Sequence, residues 1–223
     1  MPLSLRDKLS HRTELGIVVK IVVFGATGGT GRETVTLGLA AGHHVTAVAR
    51  RPEALQARPG LQIAVVPDLT NTEMVDDVIG GRDVVISALG TNARGPVSVC
   101  TDGVRSILGS MTRTGVRRLI VVSAHGAAES NDGSLYARML WAMLGHKMRD
   151  KDEMEKLIRA STVDWTIVRP PALRNKPHTG VYRTSTDLKI RLTSAISRAD
   201  LADFLLREAT TPAYLHQAPR IAA

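Results

Sequence analysis

An apolar run, Ile17-Val18-Val19-Lys20-Ile21-Val22-Val23-Phe24, leads directly into Gly25-Ala26-Thr27-Gly28-Gly29-Thr30-Gly31, and residues 32–41 behind it carry a helical pattern. A buried strand, a glycine-spaced turn and a helix in direct succession leave few folds open. In that order the helix starts with its backbone N–H groups and the positive end of its dipole, about half an elementary charge, aimed at one point above the strand tip. A pyrophosphate suits that point. Gly25 lets the chain leave the strand sharply, Gly28 keeps a Cβ out of the phosphate's path, and Gly31 lets the helix lie close to the sheet. Thr27, Gly29 and Thr30 complete the turn as cofactor contacts. Ala26 takes the middle place of the G-x-G-x-x-G pattern, so the spacing is G-x-x-G-x-x-G. That spacing is a weak signal alone and gains its weight from the strand before it and the helix after it.

Short apolar strands then alternate with helical patterns: strands at 44–49, 62–66, 83–88, 117–122 and 164–168, and helices most clearly at 97–114 and 148–160. Strands this short and this continuously apolar belong to a parallel sheet covered by helices on both faces. The expected fold is α/β, a doubly wound parallel (Rossmann) sheet forming one domain over 17–223, with a small C-terminal substrate lobe. Lobe segments are expected at about 127–150 and 172–195. In the first, Leu135, Met139 and Met143 with Leu140, Leu144 and Met148 surround Trp141 at helical spacing, a pattern that reads as an adaptable apolar cover or as ordinary core. In the second, 181–186 and 188–193 read as strands joined at Asp187, before a closing helix over 198–209 capped by Ser197. Residues 1–16 are polar and read as a mobile extension.

In doubly wound sheets the ligand crevice lies beyond the carboxyl ends of the strands. Arg50-Arg51 follow the second strand, with no acid at the strand tip and Glu53 the nearest. An acid there would grip the ribose 2′-hydroxyl of NAD, whereas arginine pairs with a 2′-phosphate, so NADP is favoured. Asp68-Leu69, after the third strand, suit the amino group and ring of adenine, or Asp68 caps a helix starting near Asn71. Ser87-Ala88-Leu89-Gly90 would let the chain pass close to ribose and pyrophosphate. Ser123-Ala124-His125-Gly126 and Arg169-Pro170-Pro171-Ala172-Leu173 flank the place of a nicotinamide. The basic loop Arg174-Asn175-Lys176-Pro177-His178 follows, suited to a flavin phosphate or a propionate.

The formal net charge of +8 invites a nucleic-acid reading, yet only 3% of the residues are aromatic and the arginines are scattered, so no stacking platform is visible. The basic balance fits attraction for an anionic cofactor or substrate, with no nucleic-acid or membrane partner. The single cysteine, Cys100, excludes an internal disulfide framework; its apolar helical neighbours read as core, with a catalytic thiol as the alternative. With no apolar leader or bilayer-length segment visible, a cytoplasmic monomer or small homo-oligomer is expected, with no metal site.

These residues together resemble the atypical short-chain dehydrogenase/reductases with an NmrA-like NAD(P)-binding domain, in particular their flavin and biliverdin reductase branch. The resemblance rests on 20–31, on Val45-Thr-Ala-Val-Ala-Arg50, on 83–91, on Trp165-Thr-Ile-Val-Arg-Pro-Pro171 and on Ile196-Ser-Arg-Ala-Asp-Leu-Ala202. It implies NADPH bound across the strand ends, with Gly25, Thr27, Gly28, Thr30, Arg50, Asp68, Leu89 and Gly90 at cofactor positions and Ser123 near hydride transfer. The Tyr-x-x-x-Lys pair of ordinary short-chain dehydrogenases is missing. Lys147-x-x-x-Lys151 stands at that spacing, and Tyr136 lies too far upstream to replace the tyrosine on the same turn. Lys151 reads either as a site lysine or as an exposed helix lysine, and His125 either as a proton donor or as a solvated loop histidine. The resemblance therefore implies an NADPH-dependent reductase passing hydride to a flat conjugated acceptor, which can take its proton from water. A non-catalytic NADP(H) sensor and a tailoring oxidoreductase using His125 are the alternatives.

Overall fold

A computed structural model describes residues 18–51, 53 and 55–223, so the expected N-terminal extension lies outside the described residues. Six parallel strands form the central sheet: β1 (Lys20–Phe24), β2 (His44–Ala49), β3 (Leu61–Val65), β4 (Val84–Ser87), β5 (Arg118–Val122) and β6 (Asp164–Val168). Their order, β3-β2-β1-β4-β5-β6, is that of a doubly wound sheet. Phe24 lies opposite Val48 on one side and Ser87 on the other, so β1 is the centre from which the chain winds outward both ways.

The side chains of β1 show why the sheet carries two cores. Val22 and Phe24 pack into one layer with Val104, Ile107, Met154 and Ile158, while Ile21 and Val23 pack into the other with Val35, Leu201 and Leu205. Alternation along a strand sends successive residues to opposite faces, and here both faces are covered. The first layer is α2 (Thr72–Ile79), α3 (Val99–Thr114) and α4 (Leu135–Arg159); the second is α1 (Gly29–Ala40) and α5 (Arg198–Thr210).

Most expected elements are present with ends shifted by one or a few residues. β3 starts at Leu61 rather than at 62, and α1 starts at Gly29, inside the glycine turn rather than behind it. Residues 135–159 form one helix, where 134–148 and 148–160 read as separate patterns; the two parts meet at Leu144, which leaves helical geometry (φ −128°, ψ 22°) just before Gly145. Ser197 caps α5 as expected, its hydroxyl accepting from the Asp200 N–H at 2.8 Å.

The expected hairpin joined at Asp187 does not form. β8 (Arg183–Ser185) pairs antiparallel with the C-terminal β10 (Arg220–Ala222), and β7 (Ala172–Arg174) pairs in parallel with β9 (Ala195–Ser197). Each pairing brings together segments far apart in sequence, which local alternation cannot register. Among the described residues no helix is long and apolar enough to cross a membrane.

Candidate cofactor and substrate site

The winding direction reverses between β1 and β4, and the glycine turn sits at that switch point. Gly25 has φ +75°, and a Cβ on it would lie 2.6 Å from the Ala88 carbonyl oxygen; only glycine lets β1 turn here against the end of β4. A Cβ on Gly31 would lie 2.1 Å from the Gly25 oxygen, so this glycine sets how closely α1 approaches the strand. Gly28 is the N-cap and offers no side-chain cap, the first turn of α1 holds no acid, and Gly28 and Gly29 are exposed. The first N–H groups of α1 lack helical acceptors and open outward, which is what an anionic ligand requires.

The other strand tips extend the site in one direction. Arg50 and Arg51 stand exposed beyond β2. Asp68 is exposed, and its carboxylate accepts from the Thr70 N–H at 2.9 Å, a bond that holds its pKa below the usual range. Asp68 does not cap α2: Asn71 does, accepting from the Met74 N–H at 3.1 Å. Leu69 and Leu89 lie against α3, where the missing side chain of Gly103 leaves them room; a Cβ there would come within 2.4 Å of Leu89.

A cleft of about 390 Å³ opens beyond β4, β5 and β6, and its lining includes Gly90, Ala124 and the whole Pro170-Pro171-Ala172-Leu173 segment. α4 forms its opposite wall with Tyr136, Leu140, Leu144, Lys147, Met148 and Lys151. Lys151 lines this cleft rather than standing free on the helix surface: its ammonium donates to the Val122 oxygen at 2.7 Å and the Leu89 oxygen at 3.2 Å, bridging the tips of β5 and β4. Asp150 beside it fixes α4 against α3 by accepting from the N–H groups of Cys100 and Thr101 at 3.0 and 2.9 Å. Cys100 is buried, its thiol donating to the Leu89 oxygen at 3.4 Å, and burial pushes its pKa up; it is a packed, protonated thiol.

The α4 wall corrects two sequence expectations. Leu135, Met139 and Met143 are exposed and lie off the cleft, while Leu140, Met148 and the partly exposed Leu144 line it, so the expected apolar cover splits between two faces of the helix. Tyr136, set aside because it is not one turn from a lysine, shares the cleft with Lys147 and Lys151. The stripe 136, 140, 144, 147 and 151, spaced by three or four, is the signal that would have found it.

Two expected catalytic residues are placed differently from their sequence reading. The Ser123 hydroxyl donates to Glu155 Oε1 at 2.6 Å, deep in the protein. Arg169 Nε donates to the same oxygen at 3.1 Å, its Nη2 also pairs with the other Glu155 oxygen, and Nη2 reaches Glu129 at 2.8 Å. Burial opposes the charges of this cluster and ion pairing outweighs it: Glu129 falls to about 2 and Arg169 rises. The Ser123 hydroxyl is therefore engaged by the buried Glu155 and does not line the cleft.

His125 is fully buried, and neither ring nitrogen has a hydrogen-bond partner among the described residues. Its ring centroid lies 5.3 Å from that of Tyr136, which lines the cleft whereas His125 does not, and its backbone N–H donates to the Pro170 oxygen at 2.8 Å. Burial first, and the charge of Arg220 second, lower its pKa to about 4. It is neither a solvated loop histidine nor a proton donor facing the cleft. A tailoring mechanism with His125 as its acid has no geometric support. Among the described residues no cluster of three histidine, cysteine or carboxylate side chains is arranged to hold a metal.

A doubly wound sheet whose switch point carries a glycine-opened, uncapped helix start defines a Rossmann protein built for a dinucleotide. Residues 25–212 match the family model described as NAD(P)H-binding, and the chain belongs to that family. It is 31% identical over 176 residues to an uncharacterised chloroplastic protein of Arabidopsis thaliana, covering 72% of this chain and 61% of that one. With an uncharacterised sugar epimerase of Bacillus subtilis it shares 28% identity over 193 residues, covering 82% of this chain and 85% of that protein. Among solved structures it resembles ChuY, an anaerobilin reductase of Escherichia coli O157:H7, with a TM-score of 0.78, 26% identity, and coverage of 91% of this chain and 96% of that one. The chain is thus a member of an NAD(P)H-binding family with oxidoreductases and epimerases among its relatives.

Proposed function

We propose that the protein is an NADPH-dependent reductase that delivers hydride to a flat conjugated acceptor, such as a flavin or a bilin, held between α4 and the Pro170-Pro171 segment. The observation that carries this reading is the cleft itself: apolar walls from Leu140, Leu144, Met148 and Pro171, with Lys147 and Lys151 at one side, adjoin the expected nicotinamide position. Broad apolar walls suit a planar ring system, and the Lys147 ammonium suits its carboxylate or phosphate.

NADPH supplies the hydride when bound. The first turn of α1 holds the pyrophosphate, Arg50 with Arg51 the 2′-phosphate, and Asp68 and Leu69 the adenine. Leu89 and Gly90 border the ribose. Lys151, anchored on two strand-end carbonyls, has a third N–H to give to a ribose hydroxyl, which orients the ring. Pro170 and Pro171 make a stiff, dry floor that excludes water from one face of the nicotinamide. No Tyr-x-x-x-Lys pair stands ready to exchange a proton with a carbonyl, which agrees with an acceptor that takes its proton from solvent. The name of ChuY as a reductase supports the same class of reaction.

The test mixes the purified full chain with NADPH and, in turn, FMN, FAD, biliverdin or a quinone, and follows consumption of the reduced cofactor. Turnover with one of these is expected; tight NADPH binding without turnover on any of them overturns the reading in favour of a non-catalytic NADP(H) sensor. Arg50→Ala should weaken NADPH relative to NADH by roughly ten-fold or more, the loss of a charge-assisted pair. One observation favours a second reading: Tyr136 shares the cleft with two lysines, and a relative is named an epimerase, so a carbonyl substrate could draw on that phenol.

A further inference from the structure

α5 begins beside the glycine turn. α1 and α5 pack along their length through Val35, Leu201 and Leu205, and Leu206 approaches the bare face of Gly38. This rigid pairing sets the first residue of α5, Arg198, directly over the first residue of α1. A Cβ on Gly29 would lie 2.6 Å from both Cδ and Nε of Arg198 and 3.5 Å from its Cζ. The guanidinium thus runs across the exposed mouth of the turn, and its Nη1 donates to the Asn175 side-chain oxygen at 2.6 Å.

The electrostatics of that position are unusual. A cation at a helix N-terminus faces the positive end of the dipole, the opposite of the stabilising arrangement. The first turn of α1 contains no carboxylate to compensate. Asp200, in the first turn of α5, is turned away: it accepts from the N–H groups of Thr179 and Gly180 at 2.7 and 2.8 Å and holds the adjoining loop. The partner of Arg198 is a neutral amide, which an anion can displace more readily than it could a carboxylate. Two positive elements, a helix start and a guanidinium, therefore face one space, and a dianionic group between them would satisfy both.

We propose that Arg198 is the side-chain counterion of the cofactor's pyrophosphate, exchanging Asn175 for a phosphate oxygen when the dinucleotide binds. This rests on the dinucleotide reading of the glycine turn and adds a residue from the far end of the chain to it. The exchange also releases Asn175, so the loop at 174–178 that borders the substrate lobe changes one of its anchors when the cofactor is present.

Calorimetric titration of the full chain with NADPH and with NADH tests it in Arg198→Ala, Arg198→Gln and, alongside, Arg50→Ala. The Arg198 variants should weaken both cofactors by the same factor, roughly 10- to 100-fold for a charge-assisted hydrogen bond to phosphate, because both carry the pyrophosphate. Arg50→Ala should weaken NADPH alone. Arg198→Lys should recover part of the loss, since it keeps the charge without the planar fork. Thermal melting without cofactor should not fall in the Arg198 variants, because the exposed hydrogen bond to Asn175 that they lose is offset by removal of a positive charge from the start of α1. Wild-type affinity for both cofactors in either variant overturns the proposal, as does a loss confined to NADPH, which would make Arg198 a 2′-phosphate reader. A wild-type protein that binds neither dinucleotide overturns instead the underlying reading of the turn.

Discussion

Replacing His125 by leucine separates a buried neutral imidazole from a catalytic one. The ring is wholly enclosed, with both nitrogens unpartnered among the described residues, and its pKa is lowered from 6.5 to about 4. An unfolded chain protonates this histidine near pH 6.5, whereas the folded chain resists protonation down to about pH 4. Between those values the unfolded state holds one more proton, so stability is intact above about 6.5 and falls with acidification until the folded ring also titrates. A lowering of that size corresponds to about 3 kcal/mol. In urea titrations from pH 7.5 down to 4, the wild type should lose about 3 kcal/mol more stability than His125→Leu, with the two curves diverging below pH 6.5. At pH 7.5 the variant should turn over as the wild type does, because the buried ring does not line the cleft. Parallel stability curves across that range would refute the burial reasoning, and a large loss of turnover with unchanged cofactor affinity would restore His125 as a proton donor.

Four further outcomes follow from the packing and the cleft. Gly31→Ala places a Cβ 2.1 Å from the Gly25 oxygen and should cost about 3 kcal/mol or more in chemical unfolding together with cofactor affinity. Gly109→Ala, whose added Cβ would meet only the flexible end of Arg113 at 3.3 Å, should instead gain about 0.5–1 kcal/mol from helix propensity. Glu155→Gln leaves the buried Arg169 with only the exposed Glu129 as counterion and should lower stability by about 3 kcal/mol; a change under about 1 kcal/mol would mean that Glu129 alone suffices. Tyr136→Phe should change flavin or bilin reduction by less than about three-fold, whereas a loss of about a hundred-fold would assign the phenol a proton-transfer role and move the reaction toward carbonyl chemistry.

Much of the scaffold was legible because its determinants are local. The bounds of β2 and β6 and the Ser197 cap follow from neighbouring residues alone, through apolar runs and a side-chain oxygen placed before a helix. Strand ends elsewhere moved by a few residues because hydrogen bonding to the next strand, rather than apolarity, decides where a strand stops. The glycine turn was legible for the same reason: sharp turning and close approach need glycine at set offsets, whatever the rest of the chain does.

The three-residue strands of the lobe were not legible, since β8 finds its partner in β10 and β7 finds its partner in β9 only after the chain has folded. Nor were the fates of single polar groups. Ser123 and His125 both read as site residues because they follow a strand tip, yet one donates to the buried Glu155 and the other is itself fully buried. Lys151 carried two readings until the carbonyls of Leu89 and Val122 placed its ammonium at the strand tips. The sequence by itself determined a parallel, doubly wound sheet and the point where a phosphate meets a helix start, because periodicity and turn chemistry act over a few residues. Tertiary structure decided which side chains reach that point, Arg198 among them, because burial, charge pairing and access are set by neighbours distant in the chain.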